Sequence, residues 1–216
     1  MSAVDAGLIA AWLAARSMVR GLPAPVPDRG GWRVDTGLPG EKRRHVFPLA
    51  CPGLVELGAT VEEPLVMLKL AATHADLAAL LPARWRLEPL AHVMTCAGEF
   101  GGGGRPAPRP GYVLSVNHGD GRAAATVVAP DGGVAASGHA AELDGVFIYD
   151  RIVTEAPHRR LGLGRALMLA LQATRRSAAS RQVLTATADG RALYASLGWQ
   201  VHCPWSTATI PAFPTG

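Results

Sequence analysis

The run His158-Arg159-Arg160-Leu161-Gly162-Leu163-Gly164-Arg165 sets two glycines one residue apart among arginines. It follows a strand-like stretch, Val146 to Val153, and opens a strongly helical one, Leu163 to Gln172. Glycine lets the main chain approach a ligand without Cβ collisions, and amides at a helix start lack intrahelical partners. Such a turn therefore aims hydrogen-bond donors at an anion, and a pyrophosphate suits that chemistry. Two other phosphate loops are excluded. A Walker loop needs Lys and then Ser or Thr after its last glycine, where Arg165 and Ala166 stand. A dinucleotide fingerprint needs a third glycine where Leu167 stands, and an acidic residue on a second strand, for which Asp189 is a poor candidate. A short glycine loop alone is a weak sign, because any strand-to-helix turn can carry glycine.

A second segment, Thr185-Ala186-Thr187-Ala188-Asp189-Gly190-Arg191-Ala192-Leu193-Tyr194-Ala195-Ser196-Leu197-Gly198-Trp199, lies downstream. Ala192, Leu193, Ser196 and Leu197 give a short helix a small apolar face, and Gly198 suits the left-handed residue that ends it. The spacing Arg159-x-x-Gly162-x-Gly164 resembles motif A of the GNAT acyltransferases, the Gcn5-related N-acetyltransferase superfamily. The ending Leu-Tyr-x-x-Leu-Gly-aromatic resembles that family's closing motif, in the same order and at a similar separation. The resemblance runs from Tyr112 to the C-terminus.

This resemblance implies an α/β (α+β) fold, a mixed but mostly antiparallel sheet flanked by helices, here with an additional N-terminal lobe. It implies acetyl-CoA as acyl donor and a primary amine of an unidentified small molecule or peptide as acceptor, joined by direct attack in a ternary complex. Carried over position by position, backbone groups of Ile152, Val153 and Thr154 would face the pantetheine arm. Arg159, Arg160 and the amides of Leu161, Gly162, Leu163, Gly164 and Arg165 would hold the pyrophosphate. Thr187 stands where many relatives place a pantetheine-bonding Asn, and its hydroxyl can make one such bond. Tyr194 would protonate the leaving thiolate; its alternative is an amphipathic ring that completes helix packing.

Asp150 lies on the strand entering the cradle, on the same face as Ile152 by two-residue alternation. Its carboxylate could relay a proton from the substrate ammonium or simply attract it, and a structural ion pair with a nearby arginine is the rival reading. For Glu155 and His158 packing is the better explanation.

Between Arg151 and Arg191 the arginines are Arg151, Arg159, Arg160, Arg165, Arg175, Arg176, Arg181 and Arg191, against Glu155 and Asp189. A phosphorylated cofactor accounts for that asymmetry better than nucleic acid does, since no basic face with interleaved aromatics accompanies it. Arg175, Arg176 and Arg181 read as solvation of a helix end. The histidines show no metal spacing, so no metal is expected. Cys51, Cys96 and Cys203 form no C-x-x-C pair and read as reduced and structural. No apolar stretch reaches spanning length, and Arg16 interrupts the Leu8 to Val19 patch, so no membrane association is expected and the cytoplasm follows by default. A homodimer is left open.

The 216-residue chain divides at Gly101 to Pro110, where glycines remove stiffness and prolines forbid regular pairing. That gives a lobe over 1–100, a linker over 101–110 and a catalytic core over 111–216. Downstream, the expected strands are Tyr112 to Val116, Ala123 to Ala129, Val134 to Ala141 and the stretch from Val146. Upstream, Leu8 to Met18 reads as helix, Pro23 to Gly31 as turns, Trp32 to Asp35 as strand, and Leu65 to Leu70, Ala75 to Leu81 and Trp85 to Thr95 as strand, helix, strand. Leu70-Ala71-Ala72-Thr73 with its short helix and Trp85 parallels Leu184-Thr185-Ala186-Thr187 with its helix and Trp199. A degenerate internal repeat fits this parallel, and chance similarity of Ala- and Leu-rich text is the alternative. The upstream copy lacks a glycine cradle, so it should bind no CoA. From another functional class, a CoA-binding regulatory module without turnover is the rival reading.

Overall fold

The computed structural model describes residues 4–100 and 107–212, so most of the expected linker lies outside the described residues. The chain runs α1 (Ala6–Val19), β1 (Val26–Asp28), β2 (Gly31–Leu38), β3 (Glu41–Phe47), α2 (Pro52–Thr60), β4 (Val66–Leu70), α3 (His74–Ala78), β5 (Arg86–Leu87) and β6 (Ala91–Cys96). It continues with β7 (Val113–Gly119), β8 (Arg122–Val128), β9 (Val134–Leu143), β10 (Val146–Thr154), a 3-10 turn (Ala156–His158), α4 (Leu163–Gln172), β11 (Arg181–Ala186), α5 (Ala188–Ser196) and β12 (Gln200–Thr209).

All strands among the described residues join one sheet in the order β1-β2-β3-β4-β12-β6-β11-β10-β9-β8-β7, with β5 also on β12. Neighbours are antiparallel except β3 with β4 and β10 with β11, and each parallel pair is connected through a helix, α2 and α4 respectively. The last strands of the two chain segments cross over. β6, from upstream, lies beside β11, whereas β12, from downstream, lies beside β4. β6 and β12 pair with each other at the centre.

Helix α1 is capped by Asp5, whose carboxylate accepts the Leu8 amide at 3.0 Å. It lies across β9 and β10 and buries Leu8, Ile9, Trp12 and Leu13 against Val146, Ile148 and Trp205. Helix α4 covers the opposite face, where Leu167 and Leu171 are both fully buried; each stabilises the fold by roughly 1.5–3 kcal/mol. Gly138 of β9 permits that approach, since a Cβ there would stand 2.5 Å from Ile152 Cδ1 and 2.9 Å from Leu167 Cδ2.

The downstream strands and both cradle-side helices stand where their patterns put them. Upstream, the reading assigned no strand at β1 or β3 and no helix at α2, and one expected strand is broken. The turn-rich stretch contains β1. Strand β3 carries the charged run Glu41-Lys42-Arg43-Arg44-His45, in which Arg44 and His45 are buried, Arg44 bonded to Glu41 and His45 to Asp28. Helix α2 was masked by Pro52, Gly53 and Gly58, but proline suits a first turn. Gly53 is needed because a Cβ would meet the Arg29 carbonyl oxygen at 2.0 Å. The single strand expected over Trp85 to Thr95 is broken at Pro89, which has no amide to donate.

Candidate active site

Strand β10 stays beside β11 only from Val146 to Tyr149, opposite Arg181 to Leu184. Its register on β9 then shifts between Asp150 and Val153, and Arg151 takes a left-handed φ of 52°. This bulge bends β10 off β11, leaving Thr185 and Ala186 paired with β6 alone. A wedge opens between the two parallel strands, below the start of α4.

The loop into α4 is built from two more left-handed residues, Arg160 (φ 61°) and Gly162 (φ 76°), the latter being the N-cap. The first bond of the helix runs from the Ala166 amide to the Gly162 carbonyl at 3.1 Å, so the amides of Leu163 and Gly164 precede the helical ladder. Arg159 Nε donates to the Thr154 carbonyl at 3.2 Å and ties the loop to β10. A Cβ on Gly164 would stand 3.2 Å from Leu193 Cδ2 and 3.6 Å from Thr154 Oγ1, so glycine lets α4 and α5 close around the opening.

The result is a cleft of about 570 Å³ whose walls include Ile152, Val153, Thr154, Arg159, Arg160, Gly162, Leu163, Gly164, Arg165 and Thr187. Every cofactor position expected from the sequence faces it except Leu161, whose side chain packs toward the core instead. An extended phosphorylated thioester fits the opening: glycine walls, helix-start amides and arginines stand at one end and an apolar strand edge at the other.

A second pocket of about 250 Å³ adjoins the first and is lined by Arg20, Asp150, Arg151, Thr185 and Tyr149, among others. Ile152, Thr187, Gly190 and Tyr194 border both spaces. Thr187 caps α5, its Oγ1 accepting the Gly190 amide at 3.2 Å. Tyr194 is 7% exposed and lies against Trp199. Burial pushes its phenol up to about 12, so it carries its proton at neutral pH.

Asp150 lines the second pocket, but its carboxylate is engaged. Arg20 Nε and Nη2 donate to its two oxygens at 2.6 and 2.8 Å, and Arg16 Nε stands 3.4 Å away. Burial by itself would raise its pKa, but the Arg20 bonds and the charges of Arg16, Arg20 and Arg151 outweigh burial and hold the carboxyl below its ordinary range. His158 packs edge-on to Tyr112 and its Nδ1 lies 3.0 Å from the phenol oxygen, away from the cleft. Glu155 is exposed.

Arg16 and Arg20 escaped the sequence reading as site residues. Their signal was present: two arginines four apart at the end of an apolar helix, where α1 meets β10. Nothing in the sequence told which strand they would reach.

Residues 120–201 match the family model described as "Acetyltransferase (GNAT) domain". No curated protein matches the chain. Among solved structures, the chain is similar to a GCN5-related N-acetyltransferase from Kribbella flavida (14% identity, 99% of this chain and 98% of that one, TM-score 0.66). It is also similar to a GCN5-related N-acetyltransferase-like protein from Streptococcus suis (12% identity, 87% and 88% covered, TM-score 0.59). A third likeness is to a tandem GNAT protein from the clavulanic acid biosynthesis pathway (17% identity, 81% and 76% covered, TM-score 0.53).

Proposed function

We propose that this chain, whose residues 120–201 match a GNAT acetyltransferase domain and whose fold is shared with GNAT structures, is an N-acetyltransferase that moves an acetyl group from acetyl-CoA to a primary amine by direct attack in a ternary complex. The observation that carries this reading is the shared border: Tyr194, Ile152, Thr187 and Gly190 line both the large cleft and the smaller pocket. A donor in one space and an acceptor in the other would meet at the phenol.

Bound acetyl-CoA supplies the activated acetyl thioester. The chain's own residues do the rest. The amides of Leu163 and Gly164, with Arg159, Arg160 and Arg165, receive the pyrophosphate. The bulged edge from Ile152 to Thr154 is free of β11 and offers main-chain groups to the pantetheine arm, and an amide there polarises the thioester carbonyl. Thr187 Oγ1 accepts from Gly190 and keeps its hydroxyl proton to donate. Tyr194, protonated at neutral pH, delivers a proton to the departing sulfur. Of the roles considered for Asp150, the ion pair is favoured: a carboxylate held low by Arg20 and Arg16 is a weak proton acceptor. Its task is to fix Arg20 at the pocket wall, and the amine reacts after losing its proton to solvent.

The upstream segment, 1–100, repeats the plan of the downstream one without the cradle. β3-α2-β4-α3 follows the order of β10-α4-β11-α5. Thr73 caps α3 as Thr187 caps α5. Pro48-Leu49-Ala50-Cys51 stands where the glycines and arginines would be. The likeness to a tandem GNAT protein supports two related halves, of which only 111–216 binds CoA.

Calorimetric titration with acetyl-CoA, followed by an amine panel read through CoA thiol release, tests the reading. Wild type should bind with one site per chain and folded Gly164→Asp should not, since the new carboxylate points into the cleft beside Leu193 and Thr154. Equal affinity of the two proteins would remove the proposal.

A further inference from the structure

The pocket assigned to the acceptor is cationic, and the excess continues behind it. Arg16 comes from α1, Arg20 from the residue that caps its C-terminus, Arg44 from β3 and Lys69 from β4, with Glu41 and Asp150 as the carboxylates among them. Both carboxylates are already used. Glu41 receives Nε and Nη2 of Arg44, and Asp150 receives Nε and Nη2 of Arg20. Arg16 shares Asp150 at 3.4 Å, and Lys69 Nζ has the Thr207 hydroxyl at 3.3 Å. Two buried donors, Arg16 Nε and Arg44 Nη1, make no hydrogen bond among the described residues.

A cluster of like charges under a helix is costly unless an anion joins it. Burial and then the charges of Arg16, Arg44 and Arg20 push Lys69 down to about 7 against the opposing pull of Glu41. Burial and the same neighbours also lower Arg16. Arg20 lines the pocket with its side chain 15% exposed, and Arg16, 14% exposed, stands behind it on the same carboxylate. At the mouth, Arg20 and Arg151 flank the engaged Asp150. An amine with a second positive charge would be repelled here, and no free carboxylate at this wall would receive it.

Resting on the acetyl-transfer reading above, we propose that the acceptor carries a carboxylate as well as its amine, and that Arg20, backed by Arg16, receives this carboxylate beside Asp150. The second anion completes a cluster that holds more cations than available acceptors. It also orients the acceptor, because a carboxylate drawn toward α1 leaves the amine at the Ile152 and Tyr194 side, where the two spaces meet.

The test uses the full chain saturated with CoA and two minimal probes, N-acetylglycine and N-acetylglycinamide, which differ only in the carboxylate. Binding is read by ligand-observed NMR titration. The carboxylate probe should bind more tightly by about ten- to a hundredfold, the worth of a charge-assisted hydrogen bond. That ratio should fall toward one in Arg20→Gln and more modestly in Arg16→Gln, and Arg20→Lys should recover part of it. Thermal melts confirm that each variant is folded. Equal affinity for the two probes, no binding of N-acetylglycine, or a ratio unchanged in Arg20→Gln overturns the inference. Failure of the acetyl-transfer reading is a separate result, seen as wild type that binds no acetyl-CoA in the preceding titration.

Discussion

Replacing Asp150 by Asn separates a structural ion pair from a proton acceptor. In the fold, the carboxylate is 7% exposed and bonded through both oxygens to an Arg20 side chain that is 15% exposed. Removing one partner of a buried pair costs about 3–5 kcal/mol, and the partial exposure of Arg20 puts this site near the lower end. For 216 residues each kcal/mol moves Tm by about 2–4 °C, so Asp150→Asn should melt roughly 6–12 °C lower at neutral pH. The folded-state pKa is depressed, so this stabilisation is present above the unfolded value of about 3.9 and is lost as pH falls through the folded value. The gap in Tm between wild type and variant should therefore be widest above about pH 5 and should close under stronger acid. Calorimetric melts over a pH series measure it. A variant that melts with wild type but loses about a hundredfold or more in kcat, and regains it at high pH where the amine arrives deprotonated, would make Asp150 the base and refute the ion-pair role.

Tyr194→Phe keeps the ring against Trp199 and removes the proton, so acetyl-CoA affinity should persist while kcat falls by about 10² to 10⁴. Turnover at the parent rate would make the tyrosine a packing residue. Because burial raises the phenol to about 12, wild-type stability should decline as pH rises above the unfolded value near 10, and Tyr194→Phe should lose that part of the decline; parallel alkaline melts compare them. A chain beginning at Arg109 should be insoluble or unfolded in circular dichroism, since it lacks α1 and the neighbours β4 and β6 of its last strand. Full activity from that fragment would make the upstream segment dispensable.

The cradle was legible because its physics is local. Two glycines, a helix start and the preceding strand occupy one short stretch, and that stretch alone determines where the amides point. The same holds for α4, whose bounds the apolar pattern gave to the residue. Strand β3 was illegible for the opposite reason: Arg44 and His45 are interior only because Glu41 and Asp28 meet them, and the His45 pairing spans 17 residues. The crossover of β6 and β12 has no local sign at all, since their exchange follows from how the halves share one sheet.

The acceptor wall belongs to this second kind. Asp150 sits on the downstream segment and Arg20 on the upstream one, 130 residues apart, and the role of the carboxylate depends on that partner. Read alone, an aspartate entering a cofactor cradle suggests a base. With Arg20 across both oxygens it becomes an anchor, and the helix that supplies the arginine acquires a reason to carry charge in an apolar stretch. The donor side is thus specified by one contiguous motif, whereas the acceptor side is assembled between segments. On the proposed reading, substitutions at the Arg16 to Arg20 end of α1 should change acceptor preference while leaving the glycine cradle untouched.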